Sequence, residues 1–211
     1  MKKILIVGLG IGQLYKNVLE SRYEVFTVDI DNSKNPNFNS VAEALEAHRY
    51  DLAIICLPNR LHEPTALLLA GKVQTILVEK PGFQTEARWK NYLKSGSKLV
   101  MVKNNLFRDL DLIKREIKNS FNGIEIVNIQ WINENRIPSP GSWFTDSSKS
   151  FGGVERDLVP HLLSIFYGIS PDVKVLPEKI RLKQNHNLGS LSSTEYGSIG
   201  IGKYDVFDYC E

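Results

Sequence analysis

The sequence has few of the residues that mark secreted, metal-binding or membrane proteins. Two of its 211 residues are cysteines, Cys56 inside an apolar run and Cys210 next to the end. Two cysteines are too few for a disulfide scaffold and fit no metal spacing, so we expect a reducing, cytoplasmic location. The apolar run after Met-Lys-Lys is short and breaks at glycines, which favours a buried strand over a signal peptide. No other segment approaches membrane-spanning length, and no membrane partner is expected.

The sequence also lacks an excess of either charge. The 26 Lys and Arg residues are scattered among 24 Asp and Glu residues, and the formal net charge is +2. This balance predicts no basic face for nucleic acid, so no nucleic-acid partner is expected. The hydrophobic content of 42% over 211 residues can fill one large core or two small ones.

The first hundred residues alternate between two kinds of pattern. Five apolar, largely β-branched runs predict buried parallel strands: KILIVG (3–8), EVFTVD (24–29), DLAIICLP (51–58), TILVEKP (75–81) and KLVMV (98–102). Helices are predicted between them, one opened by a capping box of Ser40 and Glu43 and another over residues 61–71. This alternation implies βαβ units, so we predict an α/β, doubly wound Rossmann sheet over residues 1–104.

Residues 105–211 have a different pattern, which predicts a smaller α+β domain with a mainly antiparallel sheet. Helices are predicted over 107–121 and 154–168, a long strand over 123–135, and mostly loop over 136–153. Further strands are predicted around 172–176, 179–184 and 198–209.

The stretch GLGIGQLY (8–15) follows the first strand. A strand, a glycine-rich turn and a helix bring backbone N–H groups and the helix dipole toward a pyrophosphate. Gly8 would permit the turn and Gly10 the close approach of the phosphate. The spacing G-x-G-x-x-G needs a third glycine where this chain has Gln13, and Gly12 comes one place early. A glycine-rich turn that binds no dinucleotide is the alternative.

Asp29 ends the second predicted strand, at the distance where a carboxylate accepts hydrogen bonds from an adenosine ribose. A carboxylate at this position would repel the 2′-phosphate of NADP. Lys34 is near enough in sequence to offset that repulsion. NAD is therefore favoured as the cofactor, with NADP as the alternative.

Two further features contain side chains that could take part in catalysis. Glu79-Lys80-Pro81 lies at the carboxyl end of the fourth predicted strand, the edge where doubly wound sheets bind ligands. Asp157 and His161 are four residues apart and would share a helix face, where the histidine could exchange a proton and the carboxylate orient its ring. The alternatives are a charged strand end and a surface ion pair. With no third ligand at a suggestive spacing, no metal is expected.

The order and spacing of these features resemble the glucose–fructose oxidoreductase/inositol dehydrogenase (Gfo/Idh/MocA) family of NAD(P)-dependent oxidoreductases. The resemblance runs through about residue 168 and rests on VGLG with IGQ, VDID, CLPNRLH, VEKPG, VKNNLFR and WFTDSSKSFGGVERDLVPHLLS. It implies an enzyme, a dehydrogenase or reductase that acts on the CH–OH group of a sugar, cyclitol or sugar nucleotide. Hydride would pass between the nicotinamide and a carbon of that substrate.

The resemblance also implies residue roles. The catalytic residues would be Lys80, which polarises the reacting C–O bond, His161, the acid/base, and Asp157, its partner. Cofactor binding would involve Gly8, Gly10, Ile11, Gly12, Asp29, Pro58, Asn59, His62, Glu79 and Lys80. The substrate would meet Lys80, Asn105, Trp143, Asp157 and His161.

The sequence departs from the family pattern in several places. One residue is missing between Gly10 and Gly12, so Gly12 would take the helix-packing role, and Tyr15 stands where relatives often carry histidine. Phe151 replaces the first of three glycines. The chain ends at residue 211, so a truncated second domain is expected, and a homodimer through its short sheet would cover exposed edges. A non-catalytic relative that senses a dinucleotide or sugar, or a biliverdin-reductase-like enzyme, is the alternative function.

Overall fold

The computed structural model of the protein describes residues 1–103, 110–120, 130, 141–169, 180–183 and 209–210. The chain divides into two compact units, Met1–Val102 and Lys103–Glu211. The strand predicted over 172–176, and nearly all of those over 123–135 and 198–209, lie outside the described residues.

The first unit is built on five parallel strands. They are β1 (Lys3–Val7), β2 (Glu24–Val28), β3 (Leu52–Ile55), β4 (Thr75–Val78) and β5 (Lys98–Met101), in the order β2-β1-β3-β4-β5. All five predicted strands are confirmed. The chain first moves from β1 to β2 on one side and then returns to β3 on the other. The direction of winding therefore changes between β1 and β3, which is where such sheets bind ligands.

Four helices connect these strands: α1 (Gly12–Leu19), α2 (Val41–Ala47), α3 (His62–Leu69) and α4 (Glu86–Tyr92). The capping box of α2 is confirmed, since Ser40 accepts from the Glu43 N–H and Glu43 accepts from the Ser40 N–H. Helix α4 falls between two predicted strands, where a helix was expected without stated bounds. Its start signal is Thr85, whose hydroxyl accepts a hydrogen bond from the Arg88 N–H.

The core of the first unit lies on both faces of the sheet. Leu5 and Val7 belong to the larger apolar cluster, whereas Ile4 and Ile6 belong to a smaller one. Successive side chains of a strand point to opposite faces, so the two clusters cover the two faces. This two-sided burial explains why the strands are continuous apolar runs rather than alternating ones.

The described part of the second unit is mostly helical. It contains α5 (Asp111–Ser120), α6 (Ser147–Ser150), α7 (Val154–Asp157), α8 (Val159–Ile169) and an antiparallel pair, β6 (Leu182–Lys183) with β7 (Tyr209–Cys210). The loop predicted over 136–153 thus includes a short helix. Within the described ranges, no helix is long and apolar enough to span a bilayer.

The single helix predicted over 154–168 is wrong. The structure has two helices, α7 and α8, which are separated at Leu158. The break follows from Pro160, because proline lacks an N–H donor and clashes with the carbonyl four residues earlier. Proline is tolerated in a first helical turn, and Pro160 is the second residue of α8.

Candidate functional site

The carboxyl ends of four strands meet at one edge of the parallel sheet. Val7, the last residue of β1, pairs with the last residues of its neighbours, Val28 in β2 and Ile55 in β3. Ile55 in turn pairs with Val78 at the end of β4. Because these ends are in register, the segments that follow them come together. They are the glycine turn, Asp29, the segment with Pro58 and Asn59, and Glu79-Lys80.

Gly8 is required by the turn after β1. Its φ is +95°, and a β-carbon there would lie 2.7 Å from the carbonyl oxygen of Cys56. Its N–H donates to the Val28 carbonyl at 2.8 Å, which holds the turn against the end of β2. A side chain at this position would be both strained and in collision with a neighbouring strand.

Gly10 and Gly12 have different surroundings. A β-carbon on Gly12 would lie 2.9 Å from Cγ2 of Ile6 and 3.4 Å from Cβ of Cys56. Helix α1 therefore packs closely on β1 and β3, which is the packing role predicted for Gly12 in the shortened turn. A β-carbon on Gly10 would meet nothing within 4 Å. The Gly10 side of the turn is open.

The start of α1 presents unpaired backbone donors. Within the described part of the chain, the N–H groups of Gly10, Ile11 and Gly12 have no hydrogen-bond acceptor. Ile11 is the N-cap and makes no side-chain cap, and the first turn has no acidic residue. Orphan N–H groups and the positive end of the helix dipole together favour an anion at this position.

Asp29 lies directly beside this turn. Its Oδ2 accepts from the Leu9 N–H at 2.6 Å and from Lys34 Nζ at 3.1 Å, and its Oδ1 accepts from the Asp31 N–H at 2.9 Å. Burial opposes ionisation of the carboxyl, but these donors outweigh it and hold the pKa of Asp29 below its usual value. Asp29 is therefore an ionised carboxylate that already has an ammonium partner.

The segment after β4 is held by hydrogen bonds to two other elements. The Glu79 N–H donates to the Ile55 carbonyl at 3.0 Å, and the Tyr15 hydroxyl donates to Oε1 of Glu79 at 2.5 Å. The second carboxylate oxygen accepts from the Lys80 N–H at 3.3 Å. Burial and the Glu79 carboxylate raise the pKa of Tyr15, so its phenol stays a donor. The Lys80–Pro81 peptide is cis.

His62 is fully buried at the start of α3. Its Nδ1 lies 3.0 Å from the Gly82 carbonyl oxygen, and its Nε2 lies 2.7 Å from that of Leu57. Burial lowers the pKa of His62, although both carbonyls oppose this shift. The ring thus braces the segment after β3 against the segment after β4. Asn59, expected at the cofactor, is also buried and starts the 3₁₀ turn that precedes α3.

Apart from Lys80, the predicted substrate residues lie in the second unit. Asp157 ends α7 and His161 lies in α8, so the two residues expected on one helix lie on two consecutive helices. Both side chains are half-buried. Trp143 stacks on Phe144, with 3.7 Å between ring centroids. Asn105 lies outside the described residues.

Phe151 lies where the Gfo/Idh/MocA resemblance implied the first of three glycines. Its φ is +70°, a left-handed conformation that caps α6, and its N–H donates to the Ser147 carbonyl at 3.0 Å. Gly152 has a φ of +149°, and a β-carbon there would collide with the Glu155 carboxylate. Phe151 therefore has the left-handed backbone conformation that glycine usually adopts, although its side chain is bulky.

Comparisons with known proteins found a relative in sequence and solved structures with a similar fold. No family model matches the chain. A protein of Amycolatopsis mediterranei assigned as a UDP-kanosamine synthase oxidoreductase subunit is 29% identical over 175 residues, which are 75% of this chain and 49% of the relative. The chain spans about half the length of the relatives it matches.

Two solved structures share the fold. GenD2 from gentamicin A biosynthesis, in complex with NAD, has a TM-score of 0.63 at 18% identity, over 80% of this chain and 53% of that one. Levoglucosan dehydrogenase, in complex with NADH and levoglucosan, has a TM-score of 0.59 at 17% identity, over 80% of this chain and 54% of that one. The protein has the Rossmann-type fold of NAD-binding oxidoreductases. This fold agrees with the one that the Gfo/Idh/MocA resemblance implied.

Proposed function

We propose that the protein is an NAD-dependent oxidoreductase that transfers a hydride between nicotinamide and a carbon of a sugar, cyclitol or sugar nucleotide. The observation that carries the proposal is the set of unpaired N–H groups at Gly10, Ile11 and Gly12, next to the Asp29 carboxylate. Those groups suit a pyrophosphate, and the carboxylate suits the adenosine ribose. Bound nicotinamide would supply the hydride chemistry.

NAD is the proposed cofactor, on the strength of the Asp29 charge. An ionised carboxylate beside the ribose repels the 2′-phosphate that distinguishes NADP from NAD. The segments with Pro58, Asn59 and Glu79 follow neighbouring strand ends at the same edge, and we assign them to the nicotinamide half. The NAD bound to GenD2 and the NADH bound to levoglucosan dehydrogenase support this choice.

For the substrate, we assign Lys80 to polarisation of the reacting C–O bond and His161 to proton exchange with the hydroxyl. Asp157 would orient His161, and Trp143 would offer an aromatic surface to a sugar ring. A nucleotide-activated sugar is the first substrate to test, because the 29% identical relative is assigned to UDP-kanosamine synthase. A free sugar is the second, because levoglucosan is bound to one of the proteins with this fold.

Cofactor binding is the first experiment. NADH and NADPH are titrated into the protein and followed by nicotinamide fluorescence and by calorimetry. We expect NADH to bind more tightly. If neither nucleotide binds at millimolar concentration, the enzymatic proposal is overturned. The control is Ser40→Ala, which removes the cap of α2 and leaves the glycine turn intact.

The assignment of Lys80 and His161 needs turnover measurements. UDP-sugars and free sugars are screened with NAD, and the active compound is used with Lys80→Ala and His161→Ala. Both variants should lose turnover and keep an NADH affinity within a few-fold of that of the unmodified protein. A rate near the unmodified one in either variant removes the role proposed for that residue.

A further inference from the structure

One hydrogen bond joins the helix of the glycine turn to the strand end that carries Lys80. Tyr15 lies on α1, one turn from Gly12, and its hydroxyl donates to Oε1 of Glu79 at 2.5 Å. The two residues are 64 positions apart in the chain. The Tyr15 ring packs against the smaller apolar cluster, between α1 and the sheet, so its hydroxyl is held in one place.

The Glu79 carboxylate, held by Tyr15, also contacts the main chain of the next residue, Lys80. Its Oε2 accepts from the Lys80 N–H at 3.3 Å, while its main chain is fixed on both sides. The Glu79 N–H donates to the Ile55 carbonyl, and the Glu79 carbonyl accepts from the Gly82 N–H at 3.1 Å. Glu79 is also within electrostatic reach of the buried groups of Cys56 and His62.

Without the phenol, Oε1 of this partly buried carboxylate would lack its donor, which is costly, and the side chain would turn toward another donor or solvent. The Tyr15 hydroxyl prevents this reorientation. A hydrogen bond between a phenol and a carboxylate is charge-assisted and is among the stronger kinds in proteins. Removal of the hydroxyl alone should therefore release the Glu79 side chain and alter the surroundings of Lys80.

We propose that Tyr15 is a positioning residue, whose phenol fixes the Glu79 carboxylate and thereby the main chain from which Lys80 extends. The importance of this for catalysis rests on the function proposed above for Lys80. The same hydrogen bond ties the start of α1, with its open N–H groups, to the Lys80 segment. One hydrogen bond thereby helps to position both the turn proposed to bind phosphate and Lys80.

The test observes Lys80 directly in the full chain without cofactor. Lysines are dimethylated with ¹³C-formaldehyde, and the Lys80 methyl signal is identified by its loss in Lys80→Arg. Tyr15→Phe, which removes only the hydroxyl, should shift or split this signal. Tyr15→His, which restores a donor, should return it toward its original position. The matched control is Tyr23→Phe, since Tyr23 packs against the same cluster.

The outcomes separate a positioning role from a structural one. A purely structural role predicts a lower unfolding temperature with an unchanged Lys80 signal, and that result would overturn the proposal. An equal shift in Tyr23→Phe would also overturn it. Should Tyr15→Phe fold poorly, Glu79→Gln offers the same test from the other partner, and it must move the Lys80 signal. NADH titration of the same samples tests the proposed function separately.

Discussion

The backbone N–H of Leu9 donates to Oδ2 of Asp29 at 2.6 Å, across 20 residues of sequence. This bond fastens the middle of the glycine turn to the end of β2. Asp29 accepts two further hydrogen bonds, from Asp31 and Lys34, and is 8% exposed. The carboxylate proposed to bind the ribose is thus also a brace of the turn that would bind the pyrophosphate.

Asp29→Ala should therefore reduce both stability and cofactor binding. Hydrogen bonds to charged groups contribute about 1.5–3 kcal/mol, so we expect a loss of about 2 kcal/mol in the free energy of unfolding. Urea denaturation measures the loss, and NADH titration measures binding. Asp29→Asn keeps one acceptor oxygen and should lose less of the free energy of unfolding. An Asp29→Ala variant as stable as the unmodified protein would contradict the stabilising role of Asp29 in the glycine turn.

Lys34 should influence the choice between the two nucleotides. Its ammonium pairs with Asp29 at 3.1 Å and lies 3.8 Å from Asp31, so it offsets part of the charge that repels a 2′-phosphate. A half-exposed pair contributes about 1 kcal/mol, roughly fivefold in affinity. Lys34→Ala should raise the ratio of the NADPH Kd to the NADH Kd by about that factor. An unchanged ratio in calorimetric titrations would exclude this influence.

Gly8→Ala should destabilise the first unit severely. The substitution combines a φ of +95° with a contact of 2.7 Å to a backbone oxygen, which cannot rotate away. We expect a loss of about 3 kcal/mol or more, from strain and displacement of β3. Thermal unfolding followed by circular dichroism checks this. Retention of the original midpoint would mean that the turn differs from the one described.

His62 should give the protein a pH-dependent stability. Burial lowers the pKa of His62 from its ordinary value of 6.5, so the folded state prefers the neutral ring. The unfolded state then binds more protons below pH 6.5. The stabilisation that the neutral His62 ring contributes to the folded state is complete above pH 6.5. It is lost as the pH falls through the lower pKa that His62 has in the folded state. Urea titrations across this range should show a flatter dependence for His62→Gln, and equal slopes would refute the assignment.

Much of the first unit could be predicted from sequence because its patterns are local. The continuous apolar run KILIV and its counterparts indicate strands buried on both faces, and Ser40 with Glu43 indicates a helix start. The packing role of Gly12 followed from its position in the turn. These features depend on neighbours within a few residues, which is the range that a sequence pattern covers.

The remaining features depend on contacts that sequence patterns do not cover. The Tyr15–Glu79 hydrogen bond joins side chains 64 residues apart, and neither residue type indicates the other. The break at Leu158 was missed because the apolar pattern continues across it, although Pro160 was a signal. The left-handed conformation of Phe151 is set by the backbone of the turn that it caps, against the preference of its side chain.

The most direct test of the proposed cofactor site uses Gly10→Ala. A β-carbon there meets no protein atom within 4 Å, so the free energy of unfolding should change by less than about 1 kcal/mol. The same methyl group would occupy the open side of the turn where the pyrophosphate is proposed to bind. We predict that NADH binds the unmodified protein and binds Gly10→Ala at least tenfold more weakly, about 1.4 kcal/mol or more. Equal NADH affinity in two equally stable proteins would contradict the account.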